Sequence, residues 1–416
     1  MIRKTIPVLA VGALLALSAC GGSGSKASAD GEDGVEMGPG VTDKEIKVGL
    51  LTDYSGPIAE AATSGSLGME VKFDQVNADG GVCGRKIVAV KGDTKYDAQQ
   101  TVQAYRGMAG DVAMIGEVLG SLSIDAIKTN LERDEMPAMA ISLNTTTMLE
   151  PNVYVPLPVF EVELANGVSW AAEEAGASED KPLKVASVTG TDDYGKAYAS
   201  AVEAAAEAIP GVEVVAEPTF ALTDKDFTAQ VSELEESGAD VVLLGTAPSQ
   251  TAGVVGTAAQ LGYQPTWISS SGAWFASLAE PLDGLLDKFY VSGGYGTLTD
   301  DVPGITELKD ALAEYAPDAA PSEFQVGGWL FGEATVAALT KACEDGDLTR
   351  DGITEALKDL TVDYKGITPE VNLGDGDSIV SYSSRMNSIG PKGELVPMGD
   401  FYASDAAKAW GEANGY

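Results

Sequence analysis

Histidine is absent from the 416-residue chain, and cysteine occurs only three times. Without an imidazole there is no Ser-His-Asp or Cys-His catalytic arrangement, no histidine-containing zinc site and no CxxCH haem attachment. No cofactor and no metal ligand set is expected. Cations are scarce as well: 26 Lys and Arg stand against 63 Asp and Glu, a net charge of −37. That balance argues against nucleic acid and anionic lipid headgroups as partners. There is no long single-sign run, and the apolar stretch at residues 6–17 is too short to span a bilayer.

What is present begins with that stretch. Arg3 and Lys4 precede it and Leu17-Ser18-Ala19-Cys20 closes it, so residues 1–19 read as a secretory signal. The closing four residues resemble the bacterial lipobox, in which the thiol is diacylated and becomes the new N-terminus. Cys20 is therefore the expected lipidation site, holding the protein at the outer face of the cell membrane. Residues 20–42, with their GGSGSKASADGEDG run, read as a flexible tether. Two cysteines remain in the exported body, Cys83 and Cys343. An even count outside the cytoplasm suggests one disulfide; two buried free thiols are the alternative.

The body is organised around residues 46–85. It opens with IKVGLLTDYSGP, where Ile46, Val48 and Leu50 alternate before a Ser-Gly-Pro turn. A helix is expected from Gly65, stopped by Asn77-Ala78-Asp79-Gly80-Gly81, and a second strand at 87–90. This is a βαβ unit, whose first loop lies at the carboxyl edge of a parallel sheet, where ligands bind. Strands at 112–115 and 138–141 follow, then a Pro-containing extended connection at 152–160. A second strand-helix series runs from 162 to 269, and long helices return at 304–315 and 326–343. Roughly 370 residues after the tether exceed what one core usually organises. The expected fold class is α/β, two doubly wound βαβ lobes with a ligand site between their carboxyl edges.

Two loops at the first lobe's edge are rich in hydroxyls, at 116–123 and 142–147. Free N–H groups and hydroxyls at a helix start suit an anion, although they also serve to cap their own helices. Two successive strands ending this way favour ligand contact by at least one loop. EDGDLTRDG is not a calcium loop: counted from Asp345, Arg350 stands where an EF-hand needs glycine, and the closing glutamate is missing.

Together VGLLTDYSGP, FDQVNADGGVCGRKI, IGEVLGSLS, MPAMAISLNTT and DDYG resemble the leucine/isoleucine/valine-binding protein family, the type I extracytoplasmic solute-binding receptors of ABC importers. The resemblance covers most of residues 46–416. It implies the type I periplasmic binding protein fold, two lobes joined by three hinge crossings that close over a small solute. On that basis lobe 1 comprises residues 43–158 plus 294–380, and lobe 2 residues 159–293 plus 381–416. The implied partners are a small polar solute (a branched-chain amino acid, amide or related compound) and the membrane subunits of an ABC importer; a monomer is expected. By position, Gly120 and Ser121 match the binder of the ligand's carboxylate, Thr145 and Thr146 the polar loop beside it, and Tyr194 an aromatic cover from the second lobe.

Two departures accompany the match. Ser271 stands where amino-acid binders of the family place an acid against the ligand's ammonium, and Ala247 falls near another aromatic cover. A buried ammonium without a carboxylate loses a partner worth about 1.5–3 kcal/mol. That argues against an ordinary α-amino acid unless Glu117 or Glu161 supplies the charge. Trp274 and Phe160 are expected as an apolar wall, though either is as ordinary in a core. The family topology also puts Cys83 and Cys343 in one lobe, where a bridge would leave hinge closure free. Two other classes stay open: a ligand-sensing receptor domain on the same fold, and a secreted hydrolase using paired carboxylates. Against the hydrolase, acids are spread over helices, apart from Asp192-Asp193 at a strand end.

Overall fold

The computed structural model describes residues 29–416 apart from Leu222, Asp359, Asp375 and Asp377; the signal and Cys20 lie outside the described residues. The first lobe is built on β1 (Glu45–Thr52), in which Ile46, Val48, Leu50 and Leu51 are fully buried. A strand this apolar needs cover on both faces, the situation inside a parallel sheet. α1 (Ala59–Ala78) leads to β2 (Lys86–Asp93), α2 (Ala98–Met108) to β3 (Met114–Leu119), and α3 (Ser121–Arg133) to β4 (Ala138–Ile141). A single turn, α4 (Thr145–Met148), precedes β5 (Val153–Tyr154). The strands are parallel in the order β2-β1-β3-β4-β5, so the strand order reverses between β1 and β3, the switch point where open α/β sheets bind ligands. α1 begins well before Gly65. Buried Asp53 accepts N–H bonds from Ser55, Gly56 and Ile58 and turns the strand directly into the helix.

The second lobe repeats the plan. α5 (Phe160–Ala175) is followed by β6 (Leu183–Gly190), α6 (Asp193–Ala208), β7 (Val212–Ala216), β8 (Thr219–Phe220), α7 (Thr228–Ser237), β9 (Val241–Gly245), α8 (Pro248–Leu261), β10 (Thr266–Ser270) and β11 (Phe289–Gly293). β7 and β8 pair with one edge of β6, and β9, β10 and β11 follow in parallel on the other. β12 (Arg385–Ile389) and β13 (Leu395–Pro397) extend this sheet antiparallel.

Between those strands the chain returns to the first lobe with α9 (Pro303–Tyr315), α10 (Glu323–Glu344) and α11 (Arg350–Leu357). α10 packs along α1. A Cβ on Gly68 would lie 2.1 Å from the Gln325 carbonyl oxygen, and one on Gly328 1.8 Å from that of Gly65. The two helices therefore meet backbone to backbone, and a side chain at either glycine would part them. Two of the connections between lobes are braced by one segment: Tyr364 Oη donates to the Pro156 carbonyl at 3.1 Å, Thr368 Oγ1 to that of Gly294 at 3.1 Å, and Gly296 N to that of Ile367 at 2.6 Å.

The tether expectation needs correction for residues 29–42. Ala29–Asp30 pairs with Glu36–Met37, which pairs in turn with Asp347–Leu348 on the first lobe. Val35 and Val41 join the core. Arg85, 1% exposed, donates to both oxygens of Asp33 at 2.7 and 2.9 Å and through Nε to the Thr42 carbonyl at 2.9 Å. Composition suggested a loose chain because the arginine that clasps it lies far away in sequence.

Cys83 and Cys343 are bonded, with Cα atoms 6.6 Å apart. Cys83 sits exposed in the turn between α1 and β2, whereas Cys343 is buried near the end of α10 rather than near the surface. Denatured, unreduced protein lacking the signal and Cys20 is expected to show no free thiol; two thiols per chain would remove the bridge. Because the bridge closes 260 residues of chain, Cys343→Ser is expected to lower the unfolding free energy by at most about 5 kcal/mol, read from denaturant melts.

Candidate functional site

A cavity of about 290 Å³ opens between the carboxyl edges of the two sheets. Its first-lobe wall comes from the start of α1, the end of β3 and the end of β4; its second-lobe wall from the loops after β6, β9 and β10. Most of the lining is apolar, including Ile58, Leu119, Leu143, Phe160, Phe324 and Phe331. No Lys or Arg among the described residues lines it.

The polar end is formed by Ser121 and Ser142, whose hydroxyls are 2.7 Å apart. Asn144 Nδ2 donates to both, at 3.1 and 2.8 Å. Each serine oxygen thus accepts from the amide, and one hydroxyl proton bridges the pair. The other proton is left to point into the cavity, where the first N–H groups of α3 also open. Gly120 makes this possible. Its φ is 82°, and a Cβ there would lie 2.4 Å from the Tyr96 ring. Tyr96 follows Lys95 in a turn where both residues have positive φ, 51° and 50°, a rare conformation for non-glycine residues that lays the ring on Gly120.

Thr145 and Thr146 do not line the cavity. Thr145 donates through N and Oγ1 to Glu161 at 3.0 and 2.8 Å, and Thr146 Oγ1 donates to Asn144 Oδ1 at 2.7 Å. Their hydroxyls support the serine pair from behind because Asn144 and Glu161 are the nearer acceptors. Tyr194 does line the cavity, edge-on to Phe160 with ring centroids 5.2 Å apart and its hydroxyl 3.0 Å from that of Tyr198. Burial pushes the Tyr194 hydroxyl up to about 12. Trp274 is placed elsewhere: 2% exposed, it packs on Phe289 in the second lobe's core, and its indole N–H donates to the Gly393 carbonyl.

Ser271 lines the cavity, but its polar atoms are turned to Glu163. Its N–H donates to Oε2 at 3.0 Å and its hydroxyl to the same carboxyl at 3.0 and 3.1 Å, while Gly294 N donates to Oε1 at 2.6 Å. The acid missing at position 271 thus stands directly behind it, on α5. Sequence reasoning missed Glu163, Tyr96, Ser142 and Asn144. Ser142 and Asn144 fell inside the hydroxyl-rich loop already singled out; Glu163 had no local signal. Among the described residues, no group of three or more His, Cys, Asp or Glu could hold a metal.

Burial pushes Glu163 up to about 8, although the Ser271 and Gly294 N–H groups pull the other way. Glu117 and Glu323 are likewise pushed up to about 7 by burial. A carboxyl raised in the folded state holds its proton where the unfolded chain, titrating near 4.5, has lost it. Its stabilising effect is complete below that value and is lost as pH rises through 7 to 8. The protein is therefore expected to melt higher at pH 5.5 than at pH 8.5. Glu163→Gln should reduce the pH slope of the unfolding free energy by up to about 1.4 kcal/mol per pH unit. A flat wild-type profile in calorimetry would contradict this.

A profile of the periplasmic binding protein family matches residues 45–385. The chain is 26% identical to Leu/Ile/Val-binding protein homolog 8 of Brucella abortus (strain 2308), over 76% of this chain and 81% of that protein. Among solved structures, it is similar to a fatty acid ABC transporter substrate-binding protein from Thermomonospora curvata, with a TM-score of 0.85 and 30% identity, covering 91% of this chain and 98% of that one. A branched chain amino acid ABC transporter protein from Thermus thermophilus with bound valine shares the fold at a TM-score of 0.75 and 17% identity, over 88% and 98% of the two chains. Two doubly wound lobes, a cleft between their carboxyl edges and these likenesses converge: the chain belongs to the periplasmic binding protein family, among the Leu/Ile/Val-binding type of extracytoplasmic ABC-transporter substrate-binding proteins.

Proposed function

We propose that this protein captures a short aliphatic carboxylate in the interlobe cleft and delivers it to an ABC importer, from a lipid-anchored position outside the cytoplasm. The observation that carries the reading is the Ser121–Ser142 pair, a donor-bearing end on a mostly apolar cavity that no cation among the described residues lines. An end that offers O–H and N–H donors suits a carboxylate, and apolar walls suit a hydrocarbon chain. A volume of about 290 Å³ favours a short chain. The Thermomonospora curvata relative, named as a fatty acid binder, supports the same direction. The family consists of binding proteins of transporters, and the site acts by closure over its ligand without a reaction step.

A branched-chain amino acid is the second reading. It is favoured by the Brucella likeness and by Asp192, a carboxylate that lines the cavity and accepts the Gly195 N–H at 3.1 Å. Thermal shift with hexanoate and with leucine separates the two. The better ligand is expected to stabilise the protein by about 3–4 kcal/mol at several hundred times its dissociation constant. Hexanoate should be that ligand, and leucine alone shifting the melt would overturn the carboxylate reading. Ser121→Ala combined with Ser142→Ala should weaken hexanoate by about 1.5–3 kcal/mol, the worth of a hydrogen bond to a charged group.

Anchoring rests on the Leu17-Ser18-Ala19-Cys20 sequence. Cys20→Ala is expected to release the protein from membranes into the medium; unchanged membrane association would refute acylation at that residue.

A further inference from the structure

The cavity has a second polar end that the serines do not explain. Glu117, on β3, lines the cavity and is 1% exposed. Ser66 on α1 donates to its Oε2, but its Oε1 makes no hydrogen bond. Thr52 Oγ1 at the end of β1 and Tyr54 Oη just beyond are buried close to it. Both belong to the same cluster: the Thr52 and Ser66 hydroxyls act on the Glu117 carboxyl, and the Glu117 charge acts on the Tyr54 hydroxyl. Buried polar atoms are nearly always paired. Of these groups only Glu117 lines the cavity, and its unpaired Oε1 points to a donor that joins it from the cavity side.

Among the described residues, no side chain is placed to be that donor. Of the charged groups acting on Glu117, Glu70 of α1 has the wrong sign, and Lys91 of β2 is half exposed and paired with Glu70 at 2.6 Å. We propose that Glu117 is a second, specificity-determining anchor of the solute site, taking a primary ammonium at the far end of the solute's aliphatic chain. An ammonium carries donors and no acceptor, which suits the unpaired Oε1 of Glu117. It also brings the positive charge that a carboxylate buried in an apolar wall needs to stay ionised. Glu117 and Ser121 lie four residues apart along β3 and into α3. Both line the same cavity, which thus offers polar groups at two places to a molecule with a polar group at each end. Burial pushes Glu117 up to about 7, so at neutral pH it is partly protonated. Docking an ammonium expels that proton to solvent. The inference rests on the interlobe cavity being the solute site, and not on what the serines hold.

The experiment is calorimetric titration of the full-length protein at pH 7 with 6-aminohexanoate, hexanoate and hexylamine, in two buffers of different ionisation enthalpy. In the wild type, 6-aminohexanoate is expected to bind at least about tenfold tighter than hexanoate, with net proton release for the two amines alone. Glu117→Gln should bring the ratio of those affinities to about one and remove hexylamine binding. Hexylamine that binds the wild type but not Glu117→Gln, with hexanoate failing on both, upholds Glu117 as the ammonium anchor while sinking the carboxylate reading. Hexanoate binding as tightly as 6-aminohexanoate, without proton release, overturns the proposal and leaves the carboxylate reading standing. The proton release is read on the wild type alone, so the proposal stays falsifiable even where the variant does not fold.

Discussion

The first turn of α5 is the point on which the cleft is built. Glu161 and Glu163 sit there, both buried, immediately after the chain first leaves the first lobe. Glu161 holds the Thr145 loop of one lobe; Glu163 holds Ser271 of the other and Gly294 of the returning connection. A helix N-terminus favours negative charge, while burial disfavours it. Here burial prevails, and both carboxyls are pushed up. Three separate segments thus take their positions from one helix end. Removing one partner of such an arrangement leaves a desolvated polar group behind, so the cleft floor tolerates little change.

Much of the scaffold was legible because β1, β9 and the strands beside them are short apolar runs closed by turn residues, a pattern that depends only on neighbours in sequence. Gly120 and Ser121 were legible for a similar reason, since a Gly-Ser step at the end of a strand advertises its free N–H groups. β12 was not. It carries Arg385 and Asn387 into the interior, and they are tolerated because Arg385 pairs with Asp300 and lies over the Phe401 ring, and Asn387 donates to the Val291 carbonyl. Those partners lie far off in the chain. The same holds for the docked segment at residues 29–42, whose Gly and acidic composition hides the contribution of Arg85. Trp274 and the two threonines show the converse. Each has the chemistry of a ligand contact, yet each finds a better partner inside the protein, which no local pattern records.

The cavity joins what the two sheets could not provide separately. Each sheet ends in backbone and hydroxyl donors at its carboxyl edge, and α1 and α10 contribute an apolar side wall because their glycines allow them to approach so closely. Substituting Gly328 would displace α10, and with it Phe324 and Phe331, from the wall they form.

The brace between residues 364 and 368 has a mechanical meaning. Through Pro156, Gly294 and Gly296 it is stitched to two of the connections that carry one lobe over to the other. Neither connection can flex alone without breaking these hydrogen bonds. A displacement of either connection therefore pulls on the same short segment, and the two crossings are mechanically coupled through it.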